Sequence, residues 1–352
     1  MKRPSLFLLV LAILTACSKN KPKNVEPVTN IFYDKAFEFR NSNLKDSAFF
    51  YFDRARDMFI KQKDSLGIGK CLVNMAIIST DNGDYTGGQK ASIDAISFFN
   101  EKNKKQHPYI TSNYNNLGVA TYSQAKYLQA IKFYDLAIKF TKNPDDISLY
   151  LNNKATAYQE LKQYGQALTI FNQILKSATK DSLKYAMVLN NIAFTKFLEN
   201  PAYDADPDLL RALQIRENAN DLFGKNSSYA TLADYYAKEN PALALSFAQK
   251  MYRVAKKTNI ANDKLQALQK LIRLSPAGET KQYFELYNKL DDSVEVARGT
   301  TENRFVLAKY EYEKNKSDNL TLLKFKAENR LIFYGLLLIF GLIVSYTIFW
   351  YQ

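Results

Sequence analysis

Residues Asn113–Ala137 read NYNNLGVATYSQAKYLQAIKFYDLA, and their spacing decides the fold class. Leu117 and Gly118 sit in one apolar stripe, and Tyr127, Ala130, Tyr134 and Ala137 form a second at steps of three and four residues. That periodicity belongs to amphipathic helices. The polar break Ser123-Gln124-Ala125-Lys126 separates the two stripes. Small residues at Gly118, Ala130 and Ala137 let two helix axes approach to about 8–10 Å, so the stretch predicts two helices folded against each other.

The same frame recurs along the chain. It fits Ala36, Ala48, Phe52 and Ala55, then Ala76, Tyr85, Gly88, Ser92 and Ala95. Beyond the quoted stretch it returns at Ala155, Tyr164, Ala167, Phe171 and Ile174, and again at Ala193, Ala205, Leu209 and Ala212. A shorter-turned version is Leu232, Ala233, Tyr236, Ala244, Ala248 and Met251, and a degenerate seventh unit covers Lys264–Leu290. The last frame position falls at 55, 95, 137, 174, 212 and 251, in steps of 40, 42, 37, 38 and 39. One such hairpin cannot bury its own apolar face, so the units must stack. Turn residues punctuate the array at Asp81-Asn82-Gly83-Asp84, Gln163-Tyr164-Gly165 and Glu239-Asn240-Pro241.

This frame resembles the tetratricopeptide repeat (TPR), whose unit is about 34 residues. The longer steps here imply longer helices or turns. The resemblance implies an all-α chain: a right-handed TPR superhelical solenoid of six or seven helical hairpins over residues 31–298. It also implies that the first helix of each hairpin lines a concave face. Asn74, Asn116, Asn153 and Asn191 share one repeat position, two residues before the small residue of the first helix, and Asn115, Asn152 and Asn190 precede three of them. In similar repeat proteins such amides hold the backbone of an extended peptide, a task suited to a group that both donates and accepts. A purely structural role, bonding to the next helix, is the competing reading of the same seven residues.

Composition narrows the function. The 352 residues are 47% hydrophobic and 14% aromatic, with 12 glycines. So many rings exclude a disordered chain, and so few glycines argue against phosphate-binding loops. A single histidine, His107, and two cysteines, Cys17 and Cys71, leave little for metal sites, His-based catalysis or a disulfide framework. No cofactor, metal or enzymatic activity is expected. His107 reads as a surface turn residue and Cys71 as a packed apolar side chain. The acid pairs Asp145-Asp146 and Asp291-Asp292 read as caps in loops before helices.

Both ends point to a membrane. Lys2 and Arg3 precede the apolar run Leu6–Leu14, which is too short to span a bilayer. The run leads into Leu14-Thr15-Ala16-Cys17, which resembles the lipobox of bacterial lipoproteins. The resemblance implies a signal peptide over 1–16 and an acylated Cys17 that starts a basic tether over 17–30. At the other end, Leu331–Tyr351 is LIFYGLLLIFGLIVSYTIFWY, 21 residues without a charge. A helix of that length crosses about 30 Å of hydrocarbon. Residues 299–330 before it are expected to be helical, with Val306, Tyr310, Leu320, Ala327 and Leu331 in a heptad register that Glu313, Ser317 and Lys324 interrupt. A homodimer through this helix is one expectation, and a single solvated helix running into the span is the other.

An exported N-terminus puts the repeats in the periplasm, with one C-terminal span in a bacterial inner membrane. Lys324, Lys326 and Arg330 nevertheless precede the span and no cation follows it, against the positive-inside rule. Either a basic cytoplasmic segment continues the chain, the favoured expectation, or the export signal overrides these charges. The layout is similar to the sensor half of Bacteroidetes membrane regulators, in which repeats and a span precede a histidine kinase or LuxR-type domain; the motifs of neither effector occur within these 352 residues. The net charge of +13 falls to +11 once Lys2 and Arg3 are removed. Outside the cytosol that charge implies no nucleic-acid partner, though it could attract anionic lipid headgroups. The expectation is therefore a membrane-anchored module that binds a protein or extended peptide, with a static envelope scaffold as the alternative.

Overall fold

The computed structural model describes residues 30–180 and 182–351. Cys17 and the expected signal peptide lie outside the described residues. The described residues form fourteen α-helices and one 3-10 turn, with no strand among them. The helices pair as seven antiparallel hairpins. They are α1 Ile31–Asn41 with α2 Lys45–Gln62, α3 Ser65–Asp81 with α4 Tyr85–Ile96, and α5 His107–Ser123 with α6 Tyr127–Phe140. Next come α7 Pro144–Glu160 with α8 Tyr164–Ser177, α9 Leu183–Glu199 with α10 Asp206–Asn218, and α11 Leu222–Tyr235 with α12 Pro241–Thr258. The seventh pairs α13 Ala261–Leu274 with α14 Ala277–Tyr351.

The repeat frame is where the helices touch. Ala36, Ala76, Ala155, Ala193 and Ala233 on first helices are fully buried, as are Ala48, Ala130, Ala167 and Ala248 on second helices. Gly118 lies directly against the ring of Tyr134, and a Cβ there would collide with it. Phe171 shows how a ring joins neighbouring hairpins: fully buried, it packs with Ala155 and Ile174 of its own unit and with Val188 and Ile192 of α9. Burying such a side chain stabilises by about 1.5–3 kcal/mol.

The turns follow two schemes. Within hairpins, Asn43, Ala125 and Lys162 take left-handed backbone at φ near 57–59°, and Gly83 does so at 85°. This left-handed residue ends one helix and reverses the chain into the next. The second helices α2, α6 and α8 that follow have no side-chain cap. Lys63, Asn220 and Asn259 repeat the left-handed backbone between hairpins, where most first helices instead carry a side-chain cap: Asp64 on Gly67, Asn143 on Asp145 and Asp146, Ser182 on Tyr185, and Asp221 on Gly224. Each cap contributes about 1 kcal/mol.

Three local expectations need correction. Asp145 and Asp146 do not cap α7; Asn143 does, and the two acids occupy the first turn behind Pro144, where the helix dipole favours them. Asp291 and Asp292 lie inside α14 rather than in a loop, because nothing between Ala277 and Tyr351 breaks the helix. Tyr164 and Gly165 are likewise helical; the reversal is at Lys162.

α14 is 75 residues long and passes positions 299 and 331 without interruption. The second helix of the last hairpin therefore continues through residues 299–330 into the apolar segment. Leu323–Tyr351 reaches a mean hydropathy of 2.3 with none of its most apolar stretch buried, and is long and apolar enough to cross a membrane.

Candidate functional site: the concave cavity

First helices do line the inner face. A cavity of about 600 Å³ is lined by residues of α3, α5, α7, α9, α11 and α13, with Tyr85 of α4 and Met251 of α12 completing the wall. Beside it the superhelix meets its own beginning. Asn43, in the first hairpin, donates from Nδ2 to the Thr258 carbonyl at 3.1 Å, 215 residues away. The Tyr85 hydroxyl donates to Asn262 Oδ1 at 2.8 Å. The expectation from repeat architecture, that each unit touches only its neighbours, fails at this seam.

Six of the seven asparagines bridge first helices, and Asn116 reaches a second helix instead. Asn153 Nδ2 donates to Asn115 Oδ1 at 3.2 Å, and Asn191 Nδ2 donates to Asn152 Oδ1 at 2.7 Å. The next rung repeats the register with a hydroxyl in the amide position: Asn190 Nδ2 donates to Thr231 Oγ1 at 3.2 Å. Asn116 is buried and donates to Ser92 Oγ at 2.9 Å. Asn74 accepts from Arg40 at 2.5 Å and donates to the Lys70 carbonyl at 2.8 Å. Of the seven, Asn191 lines the cavity.

The cavity chemistry comes from residues that no motif flagged. Asp81, Glu160, Asp234 and Asp263 line it, with Lys270 as the one lining cation. Lys270 Nζ is held by Asp234 at 2.6 Å, and Arg273 bonds the other oxygen at 2.7 Å. Glu160 accepts from the Tyr122 hydroxyl at 3.3 Å. Burial pushes the Asp263 carboxyl above the usual carboxylate range, against the opposing pull of Lys45. Burial, with Glu160 adding to it, also keeps the Tyr122 hydroxyl protonated far above neutrality. Rings supply the apolar part of the wall, Phe194 on α9 and Phe223 on α11 among them.

The remaining chemical candidates are structural. Cys71 is fully buried, and burial pushes its thiol far up, so it is an unreactive apolar side chain. His107 is not a free turn residue: it starts α5, its Nε2 meets the Glu101 carbonyl at 2.8 Å, and its ring packs edge-on against Phe140. No group of three His, Cys, Asp or Glu among the described residues could hold a metal ion.

No family model and no curated protein matches this chain. Solved structures do match in fold. A Rap protein complexed with Competence and Sporulation Factor is similar over 80% of this chain and 79% of its own, at 12% identity and a TM-score of 0.50. A tetratricopeptide repeat protein from Parabacteroides merdae is 15% identical over 74% of this chain and 97% of its own, with a TM-score of 0.45. BtubC from P. vanneervenii is 18% identical over 66% of this chain and 93% of its own, with a TM-score of 0.44. The chain thus has an all-α fold of the TPR-like superhelical kind, closed around an acid-lined cavity.

Proposed function

We propose that this chain is a non-enzymatic module that takes an extended peptide segment into its concave cavity while tied to a membrane. The observation that carries the reading is the cavity itself, walled by successive first helices and large enough for several side chains. The Rap protein of similar fold is solved with Competence and Sporulation Factor; that likeness concerns fold, and the reading here rests on this chain's own wall. Asn191 stands on the wall where peptide backbone would pass, held by its rung partner Asn152, so this rung serves both helix spacing and ligand contact. Acylated Cys17 and the apolar end of α14 hold the module at the inner membrane, with the repeats in the periplasm. A peptide that shifts the closing contacts at Thr258 and Asn262 would move α13 and, through it, α14. In this reading the chain is the sensing or docking part of a signalling protein.

The test is a random decapeptide display selection against the full chain in neutral detergent. Selected peptides should lose binding when Ala230→Trp fills the cavity, with folding monitored by circular dichroism. Retention of binding by a folded Ala230→Trp protein would refute the cavity as the site.

A further inference from the structure

The cavity wall is acidic, although the chain as a whole carries +13. Four carboxylates line it against one lining ammonium; Lys270 and Arg273 hold Asp234 and Lys45 pairs with Asp81, which leaves Glu160 and Asp263 to a ligand. Asp263 lines it half-buried, with no ion pair among the described residues within 4.0 Å. Asn226, also on the wall and only 7% exposed, has an Oδ1 with no hydrogen-bond partner. An unpaired buried acceptor is costly, and a ligand donor recovers that cost.

We infer that the cavity selects cationic, donor-rich peptide segments, with Asp263 and Glu160 receiving Lys or Arg side chains and Asn226 Oδ1 accepting a donor from the ligand. The inference rests on the cavity being the peptide site and specifies what enters it. Lys and Arg suit the rest of the wall as well. Their aliphatic stems can lie on apolar rings while their charged heads reach the carboxylates. Phe223 offers such a surface at 65% exposure, beside Phe194 and Tyr122. A neutral segment would leave the carboxylates partly desolvated and unpaired, and an acidic one would add repulsion. A metal ion does not fit, because the acids come from four different helices and no three gather into a coordinating group among the described residues.

Three fluorescent decapeptides of Ala, Gly and Ser test this, with three lysines, three norleucines or three glutamates at the same positions and a benzophenone at the end. Each is titrated by anisotropy against the full chain in neutral detergent, and its cross-links are mapped by mass spectrometry. The lysine peptide should label cavity residues and bind at least tenfold more tightly than the norleucine peptide. Asp263→Asn with Glu160→Gln should abolish that difference. Glu239→Gln, which removes an exposed acid outside the wall, should preserve it. If norleucine or glutamate peptides label the cavity as well as lysine does, the charge selectivity is wrong while the peptide site stands. If the lysine peptide labels only other surfaces, or no peptide labels the cavity, the charge inference fails too.

Discussion

Between neighbouring hairpins the contact is apolar and close. Phe171 and Ile174 reach from one unit to Val188 and Ile192 of the next, and fully buried alanines set the spacing. Where the superhelix closes on itself, single hydrogen bonds cross the seam, Asn43 to Thr258 and Tyr85 to Asn262. Apolar burial scales with area and strengthens every unit, whereas a single neutral hydrogen bond contributes about 0.5–1.5 kcal/mol net. The seam should therefore open long before any hairpin melts.

The contrast can be broken most directly at Phe171. Phe171→Ala should cost about 3–5 kcal/mol in chemical denaturation, because it empties a contact shared by two hairpins. A cost under about 1 kcal/mol would mean that the units are not coupled through their rings. Tyr85→Phe should act on the seam alone. Global stability should fall by about 1 kcal/mol at most, while amide exchange around Thr258–Asp263 accelerates. Equal acceleration throughout the solenoid would show that seam and hairpins are one cooperative body. The same exchange should depend on pH. Burial raises the Asp263 carboxyl, so its neutral form favours the closed state. That contribution is complete below the ordinary carboxylate value and is lost as pH rises through the folded one. Protection at the seam, taken relative to the intrinsic exchange rate at each pH, should thus fall from acid toward neutral pH, and Asp263→Asn should flatten the dependence. The smallest effect is expected at Lys162, a non-glycine residue in left-handed backbone. Lys162→Gly should raise stability by up to about 1 kcal/mol by relieving steric strain, with no change at the seam.

Much of the architecture was legible because close helix contact demands small residues at fixed spacing. Ala76, Ala130, Ala155 and Ala193 were identified from spacing alone, and all are fully buried. Turn chemistry was less readable. Gly83 announced its reversal, but Ala125 and Lys162 adopt the same left-handed backbone without the residue type that signals it. Buried cations were missed entirely: Arg216 bonds the Gly224 carbonyl and Ser228, and burial lowers its guanidinium to about 10. No local pattern marks such a residue, because its partners become neighbours only through the fold. The asparagine ladder was visible as a column, while its register was not. Each rung joins an amide to a partner one frame position later in the next unit, as in Asn115 with Asn153 and Asn152 with Asn191.

By itself the sequence determined the repeating hairpin, its small-residue contacts and the apolar character of the C-terminal helix, since each depends on residues within about forty positions of one another. Only the tertiary structure decided that the solenoid closes, that Asp81, Glu160, Asp234 and Asp263 face a common space, and that α14 runs unbroken from the last repeat into its apolar end. Those features arise from rotations added over seven hairpins. A small change in packing angle per unit separates an open spiral from a closed one, and no stretch of sequence encodes that sum.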